Sequence, residues 1–233
     1  MKRLVPLGLA VAIMLAAVAV SSPTDVNAQS AGLVSSLLNR MERNRQTLKS
    51  LRASVSMEKY NAQIHDSDKY SGYVLYVPGA GRSANVRLEW QRPQHEILAV
   101  SNGAYTLYRP RTQTAWVGRA GTGIGKQSRL FDYLTMSKQQ LTARFDIQDV
   151  RSETLWGGVS TVHVTLIPKS GSGFSSKYAE VWVDDGGMPV QVKMVERNDD
   201  STTVRLLNIE RNAGISSDQF QLQLDGSVKK IQS

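Results

Sequence analysis

No cysteine occurs anywhere in the 233 residues. Disulfides, thiolate metal sites and cysteine nucleophiles are excluded together, so the fold must stand on its apolar core. Histidine is nearly as scarce. His65, His95 and His163 lie far apart, and none has another histidine three or four residues away, the spacing at which a helix presents two metal ligands. Asp66 and Asp68 could contact a cation, but the rest of a calcium loop is missing. No serine has glycine two residues away on both sides, which removes the nucleophile elbow of the serine hydrolases. The glycine-rich run Ala120-Gly121-Thr122-Gly123-Ile124-Gly125-Lys126-Gln127 invites a phosphate-loop reading. That motif requires glycine where Ala120 stands and Ser or Thr where Gln127 stands, so the run reads as a loop. Together these absences predict a protein that is not an enzyme and uses neither cofactor nor metal.

What is present begins with an export signal. Met1, Lys2 and Arg3 put positive charge ahead of an apolar run from Leu4 to Val20, and Val26 and Ala28 supply the small residues of a cleavage site. Residues 1–28 are therefore expected to be a signal peptide, cleaved on export, and residues 29–233 one domain outside the cytoplasm. The mature chain would keep 26 basic and 19 acidic side chains, a formal charge of +7. Such charge attracts anionic surfaces, and lipid headgroups are the anions outside the cytoplasm. Nucleic acid is not expected as a partner, because the basic residues are scattered and form no run.

Leu33, Val34, Leu37, Leu38, Met41, Leu48 and Leu51 recur at three- and four-residue steps and predict one amphipathic helix. From Ala53 the period becomes two, in short segments rich in Val, Tyr, Trp and Thr. The turns between them are marked by Pro78-Gly79-Ala80-Gly81, Arg92-Pro93, Asn102-Gly103, Pro110-Arg111, Trp156-Gly157-Gly158, Asp184-Asp185-Gly186-Gly187 and Asn198-Asp199-Asp200. About eleven strands in one antiparallel meander follow. Between Thr122 and Ala143, Ser137 stands three residues before Gln140 as in a capping box, which predicts one or two short helices. The resulting fold class is mainly β with helices: a long antiparallel sheet that curls, with helices over its open side.

Alternation sorts side chains by face. Val86, Leu88 and Trp90 oppose Arg87 and Glu89, and Val190, Val192 and Met194 oppose Gln191 and Lys193, so one face is apolar and the other wet. His163, within Val162-His163-Val164, falls on the polar or half-buried face. Periodicity leaves two alternatives open, since an apolar face lines either a packed core or a lipid-sized cavity.

The order of these features resembles the periplasmic outer-membrane lipoprotein carrier family. The resemblance is carried by the leading helix, then Gly72-Tyr73-Val74-Leu75, then Arg82 with Val86, Leu88, Trp90 and Pro93. Ile97-Leu98, Asn102-Gly103 and Leu107-Tyr108-Arg109-Pro110 continue it. Val181-Trp182-Val183-Asp184 with Gly187, Glu196, Thr202-Thr203 and Phe220 with Leu222 and Leu224 resemble the family's C-terminal strands. The resemblance implies an incomplete, half-open barrel of about eleven strands under a helical lid. It also implies a monomeric carrier of lipoprotein acyl chains, or a related lipid, from inner to outer membrane. Its partners would be an inner-membrane lipoprotein-releasing transporter and an outer-membrane receptor. Val86, Leu88, Trp90, Val190, Val192 and Met194 would line the cavity, with Leu37, Leu38, Leu130, Phe131 and Leu134 in the lid. The family's lid is latched by an arginine eleven residues ahead of the proline, the spacing of Arg82 from Pro93, although Ser83 stands where the family usually has proline. A solvated turn residue is the other reading of Arg82. The same half-barrel also resembles the sensing domain of periplasmic regulators of envelope stress. Those regulators carry a further C-terminal domain, and because this chain ends at Ser233 the expectation is a stand-alone carrier.

Overall fold

The computed structural model describes residues 25–79, 84–120, 133 and 136–232. Most of the expected signal peptide, Arg82, Leu130, Phe131, Leu134 and nearly all of the glycine-rich run lie outside the described residues. The chain forms helix α1 (Asp25–Thr47), then strands β1 (Leu51–Asn61), β2 (Asp66–Val77), β3 (Asn85–Arg92), β4 (Glu96–Ser101), β5 (Ala104–Arg109) and β6 (Thr114–Arg119). Helix α2 (Lys138–Arg144) follows, and then β7 (Phe145–Leu155), β8 (Val159–Pro168), β9 (Tyr178–Asp184), β10 (Pro189–Val195), β11 (Ser201–Arg211) and β12 (Lys229–Gln232). Among the described residues, no helix is long and apolar enough to cross a membrane.

All twelve strands form one open sheet in the order β12-β6-β5-β4-β3-β2-β1-β11-β10-β9-β8-β7. The single meander expected from the turns is therefore two meanders, β1 to β6 and β7 to β11, joined in the middle where β1 pairs with β11. Every pair is antiparallel except β12, which lies parallel to β6. This twelfth strand was not expected from sequence, and Leu222 and Leu224 are not in strands. After β11 the chain instead crosses the outside of the sheet, makes a 3-10 turn at Ser217–Phe220 against β3 and β4, and reaches the far edge. A strand arriving that way can run parallel to β6 because no tight hairpin constrains it.

The first helix is shorter at its end than its apolar spacing suggests. Leu51 opens β1, where Leu51, Ala53, Val55 and Met57 alternate buried with part-exposed neighbours, so the period of two has already taken over. Asn212 caps the junction by accepting from the Lys49 backbone N–H at 2.7 Å. The capping box at α2 is present as expected, with the Ser137 hydroxyl accepting from the Gln140 N–H and the Gln140 side chain accepting from the Ser137 N–H.

Two glycines are required by close approach. A Cβ on Gly187 would lie 2.2 Å from the Arg40 carbonyl oxygen, so only glycine lets the β9–β10 turn pass directly under α1. A Cβ on Gly72 would lie 1.9 Å from the Glu89 carbonyl oxygen, at the point where the β2–β3 register slips.

Candidate functional site

Strand pairing carries one apolar face across the whole sheet, and α1 and α2 lie on that inner side. Val55 and Met57 of β1 stand opposite Gly72 and Tyr70, and Val74 and Tyr76 stand opposite Leu88 and Val86. Leu88 and Val86 stand opposite Leu98 and Val100, which in turn face Leu107 and Tyr105. These side chains form one buried cluster with Trp90, whose ring meets Tyr70 edge-on at 5.8 Å. Close beyond α1, Leu48 joins this cluster. Two indole N–H groups in the cluster are buried with no hydrogen-bond partner among the described residues, that of Trp182 on β9 and that of Trp90, which lies on the inner face of β3. An unsatisfied buried donor is costly, and it marks a place where an acceptor would be welcome.

The same face continues through Val204, Val192, Val181 and Val164 into a second cluster. Here the helices contribute side chains alongside the strands. Leu37, Leu38 and Met41 of α1, with Tyr133, Met136 and Leu141, close over Phe145, Val164, Leu166, Val181, Val192 and Met194. The crevice left between helices and strands is about 10 Å³, at or below the space one water needs. Glu42 ties the two helices together, accepting from the Lys138 backbone N–H at 3.0 Å and from Arg45 at 2.6 Å. The Arg45 hydrogen bond foremost holds the Glu42 carboxyl down at about 2.

The residues expected to line one cavity therefore divide. Leu88 and Trp90, with part-exposed Val86, lie in the first cluster, as does Val190, while Val192 and Met194 lie in the second. Val190 sits where the β9–β10 register slips. Leu37 and Leu38 are buried, each against the β7–β11 half. Sequence reasoning named only β3 and β10 as lining and missed Val55, Met57, Val74, Leu98, Val100 and Tyr105, although the same alternation runs through β1, β2, β4 and β5.

The other face of β3 is not wet as expected. Glu89 is 9% exposed, accepts from the Tyr73 hydroxyl, pairs with Arg87 at 2.9 Å and meets His95 at 2.9 Å. Burial alone would raise its pKa, yet the hydrogen bonds from Tyr73, Arg87 and His95 win and lower it. Arg87 also donates to the Gln219 carbonyl at 3.1 Å, and Phe220 beside it is buried. The crossing C-terminal segment is what covers this side. His163, expected on a polar or half-buried face, is fully buried against Trp182, with Glu180 at 3.3 Å. His65 bonds Tyr60 at 2.9 Å in an exposed turn. Each histidine thus has a structural partner of its own.

One open cleft of about 590 Å³ lies at the end of β1, β2, β10 and β11, but Lys59, Asp68, Glu196, Arg197 and Asp200 line much of it. Acyl chains would gain little there, since apolar area removed from water is what binds them.

A family model described as outer membrane lipoprotein carrier protein LolA matches residues 78–223. A search of curated protein sequences finds no significant match. Among solved structures, an uncharacterized conserved protein from Thermus thermophilus aligns with a TM-score of 0.55 at 12% identity, over 88% of this chain and 100% of that one. MucB aligns with a TM-score of 0.54 at 14% identity, over 82% of this chain. The MucA/MucB complex of Pseudomonas aeruginosa gives 0.51 at 15%. The chain spans 62% of MucB in the first of these and 61% in the second. At such identities the likeness is one of fold.

Proposed function

Since the chain belongs to the outer membrane lipoprotein carrier protein family, whose fold binds lipids or lipoproteins, we propose that it is a periplasmic carrier that holds acyl chains against the inner face of β1 to β5. The observation that carries this reading is the first cluster itself. A continuous apolar surface from Val55 to Tyr105 carries an unsatisfied donor, Trp90 Nε1. Each methylene laid on such a surface contributes about 0.8 kcal/mol, so roughly ten acyl carbons supply the about 8 kcal/mol of micromolar affinity. The ester or amide carbonyl that joins an acyl chain to the rest of a lipid or lipoprotein is an acceptor of the kind Trp90 lacks. The packed second cluster then serves as the base on which the helices rest. The transporter and receptor partners, the cleaved signal and the monomeric state implied by the resemblance are parts of the same proposal.

Binding of a fluorescent fatty-acid probe tests it. Wild-type protein should bind the probe, and Leu88→Glu should lose it with only a modest fall in thermal midpoint, because a charge on the site makes acyl burial costly. Wild-type protein that takes up no probe would remove the carrier reading, and so would a Leu88→Glu variant that unfolds. Mass spectrometry of copurifying apolar molecules would then name the cargo.

The likeness in fold to MucB supports a second reading, in which lipid bound at the same face is reported to a partner protein and not delivered. Lipid transfer between donor and acceptor vesicles separates the two. A carrier speeds transfer in proportion to its concentration, whereas a sensor binds lipid and leaves the transfer rate unchanged.

A further inference from the structure

Trp156 is 84% exposed at the tip of the β7–β8 hairpin, and Val159 across the turn is 38% exposed. An aromatic side chain so far out of the protein is unusual, since tryptophan is highly buried on average. The tip is nevertheless fixed. Gly158 N–H bonds the Leu155 carbonyl at 3.1 Å, and Gly157 and Gly158 both take positive φ, so the turn is tight. Beneath it, Arg205 on β11 donates to the Trp156 carbonyl and makes no ion pair among the described residues. The outward-facing cations around it do have carboxylate partners: Arg52 with Glu210, Arg151 with Asp149 and Glu153, and Lys193 with Glu180. An indole projects from the surface with a guanidinium behind it that has no carboxylate partner among the described residues.

We propose that this hairpin tip docks the protein on the interfacial layer of an anionic lipid bilayer. Indole rings partition to that layer because one end is apolar and the other carries a hydrogen-bond donor. Arg205 would lie at the depth of the phosphates, and the charge of the whole chain favours an anionic surface over a neutral one. The tip lies outside both apolar clusters' inner face, so this docking goes beyond the proposed cargo site and stands whether or not acyl chains bind there.

The test is flotation of the exported protein with vesicles of phosphatidylethanolamine and phosphatidylglycerol, against vesicles of phosphatidylcholine. Wild-type protein should associate preferentially with the anionic vesicles. Trp156→Ala should weaken association at least about tenfold through the lost apolar area, and Arg205→Gln about fivefold, the size expected of one basic side chain at an anionic surface. Brominated acyl chains should quench emission from the wild type but not from Trp156→Phe beyond its remaining tryptophans, which assigns the contact to this residue. Trp156 is exposed, so its variants should keep the wild-type thermal midpoint and fatty-acid probe binding. Equal association of wild type and Trp156→Ala, equal association with both vesicle types, or absence of Trp156-specific quenching would each overturn the proposal. Loss of probe binding by wild type with flotation intact would strike the cargo reading alone.

Discussion

The two halves of the sheet present the same apolar face and use it differently. In the β7–β11 half, α1, α2, Tyr133 and Met136 bring side chains down onto the strands until about 10 Å³ remains. In the β1–β6 half only Leu48, just beyond α1, joins from the helical side among the described residues, and the cluster is built mainly from β1–β5 strand residues, extended by Leu155, Trp182, Met188, Val190 and Leu206. The difference teaches that apolarity alone does not mark a lipid site. The half in which helix and sheet already pack against each other is a foundation, and the half left mainly to strand side chains, Trp90 among them, is the candidate for cargo.

The largest expected effect comes from weakening the foundation. Leu141 is 1% exposed between α1 and β7–β9, and Leu141→Ala should cost about 2 to 5 kcal/mol in urea unfolding, the range for a well-packed leucine. Leu88→Ala, 2% exposed in the other half, should fall at or below the bottom of that range and chiefly weaken probe binding. Saturating probe should raise the thermal midpoint of wild type and of Leu141→Ala alike, since a ligand of the native state stabilises by mass action. Equal stability losses in both halves, with probe binding untouched, would break the comparison.

The outer side of β3 gives the next effect. Glu89→Ala removes the partner shared by Tyr73, Arg87 and His95 and should cost about 2 to 3 kcal/mol, because Arg87 is left part-buried without its carboxylate. Hydrogen exchange should quicken at Gln219 to Gln221, where Arg87 holds the crossing segment. For the same reason Arg87 is not the neutral outer-face position that alternation suggests, and Arg87→Glu should destabilise by setting two carboxylates side by side.

Much of this was legible in the sequence because it is local. Period-two alternation located the strands, the Asn102-Gly103, Trp156-Gly157-Gly158 and Asn198-Asp199-Asp200 turns fell between them, and Ser137 with Gln140 forecast the cap of α2. What could not be read depends on partners far along the chain. Glu89 is buried because of a segment about 130 residues later, which no spacing reports. The order of strands was hidden because β7 stands at one edge of the sheet and β6 at the other end, inside only β12, while their connection reads only as a helical interruption. Leu222 and Leu224 alternate like a strand, yet the strand comes later, at Lys229–Gln232, where the pattern is weak. Of the candidate site, β3 was found and its neighbours were not, because the lining was drawn from the alternation of β3 and β10 alone.

A smaller effect follows from acid. Glu42 is held at about 2, chiefly by the Arg45 hydrogen bond, against an ordinary value of 4.5. A carboxylate with a depressed folded pKa contributes stability that is present above its unfolded pKa and lost as pH falls through the folded one. The α1–α2 link through Lys138 should therefore hold at neutral pH and weaken between about 4.5 and 2. Hydrogen exchange at the α2 amides, followed down that range, should accelerate in the wild type. In Glu42→Gln the rate should vary much less with pH, and an identical profile would detach the helices' junction from this residue.

The smallest expected change is the one most specific to the cargo face. Trp90→Phe keeps an aromatic ring against Tyr70 and removes the buried N–H that has no partner among the described residues. In a plain core, removing an unsatisfied donor is neutral or mildly stabilising, offset by the smaller ring, so the thermal midpoint should move little. If the donor instead meets the carbonyl of bound cargo, the variant loses a hydrogen bond worth about 1 kcal/mol, or roughly fivefold in affinity, for ligands that carry an acyl ester. A bare hydrocarbon ligand of equal length offers no acceptor, and its affinity should be nearly unchanged. Titrating wild type and Trp90→Phe with both ligands yields a difference of differences, from which the general consequences of a smaller ring cancel. A loss confined to the ester places its carbonyl at Trp90. An equal loss for both ligands would mean that the indole acts by shape alone, and no loss for either would put the bound chain elsewhere on the face.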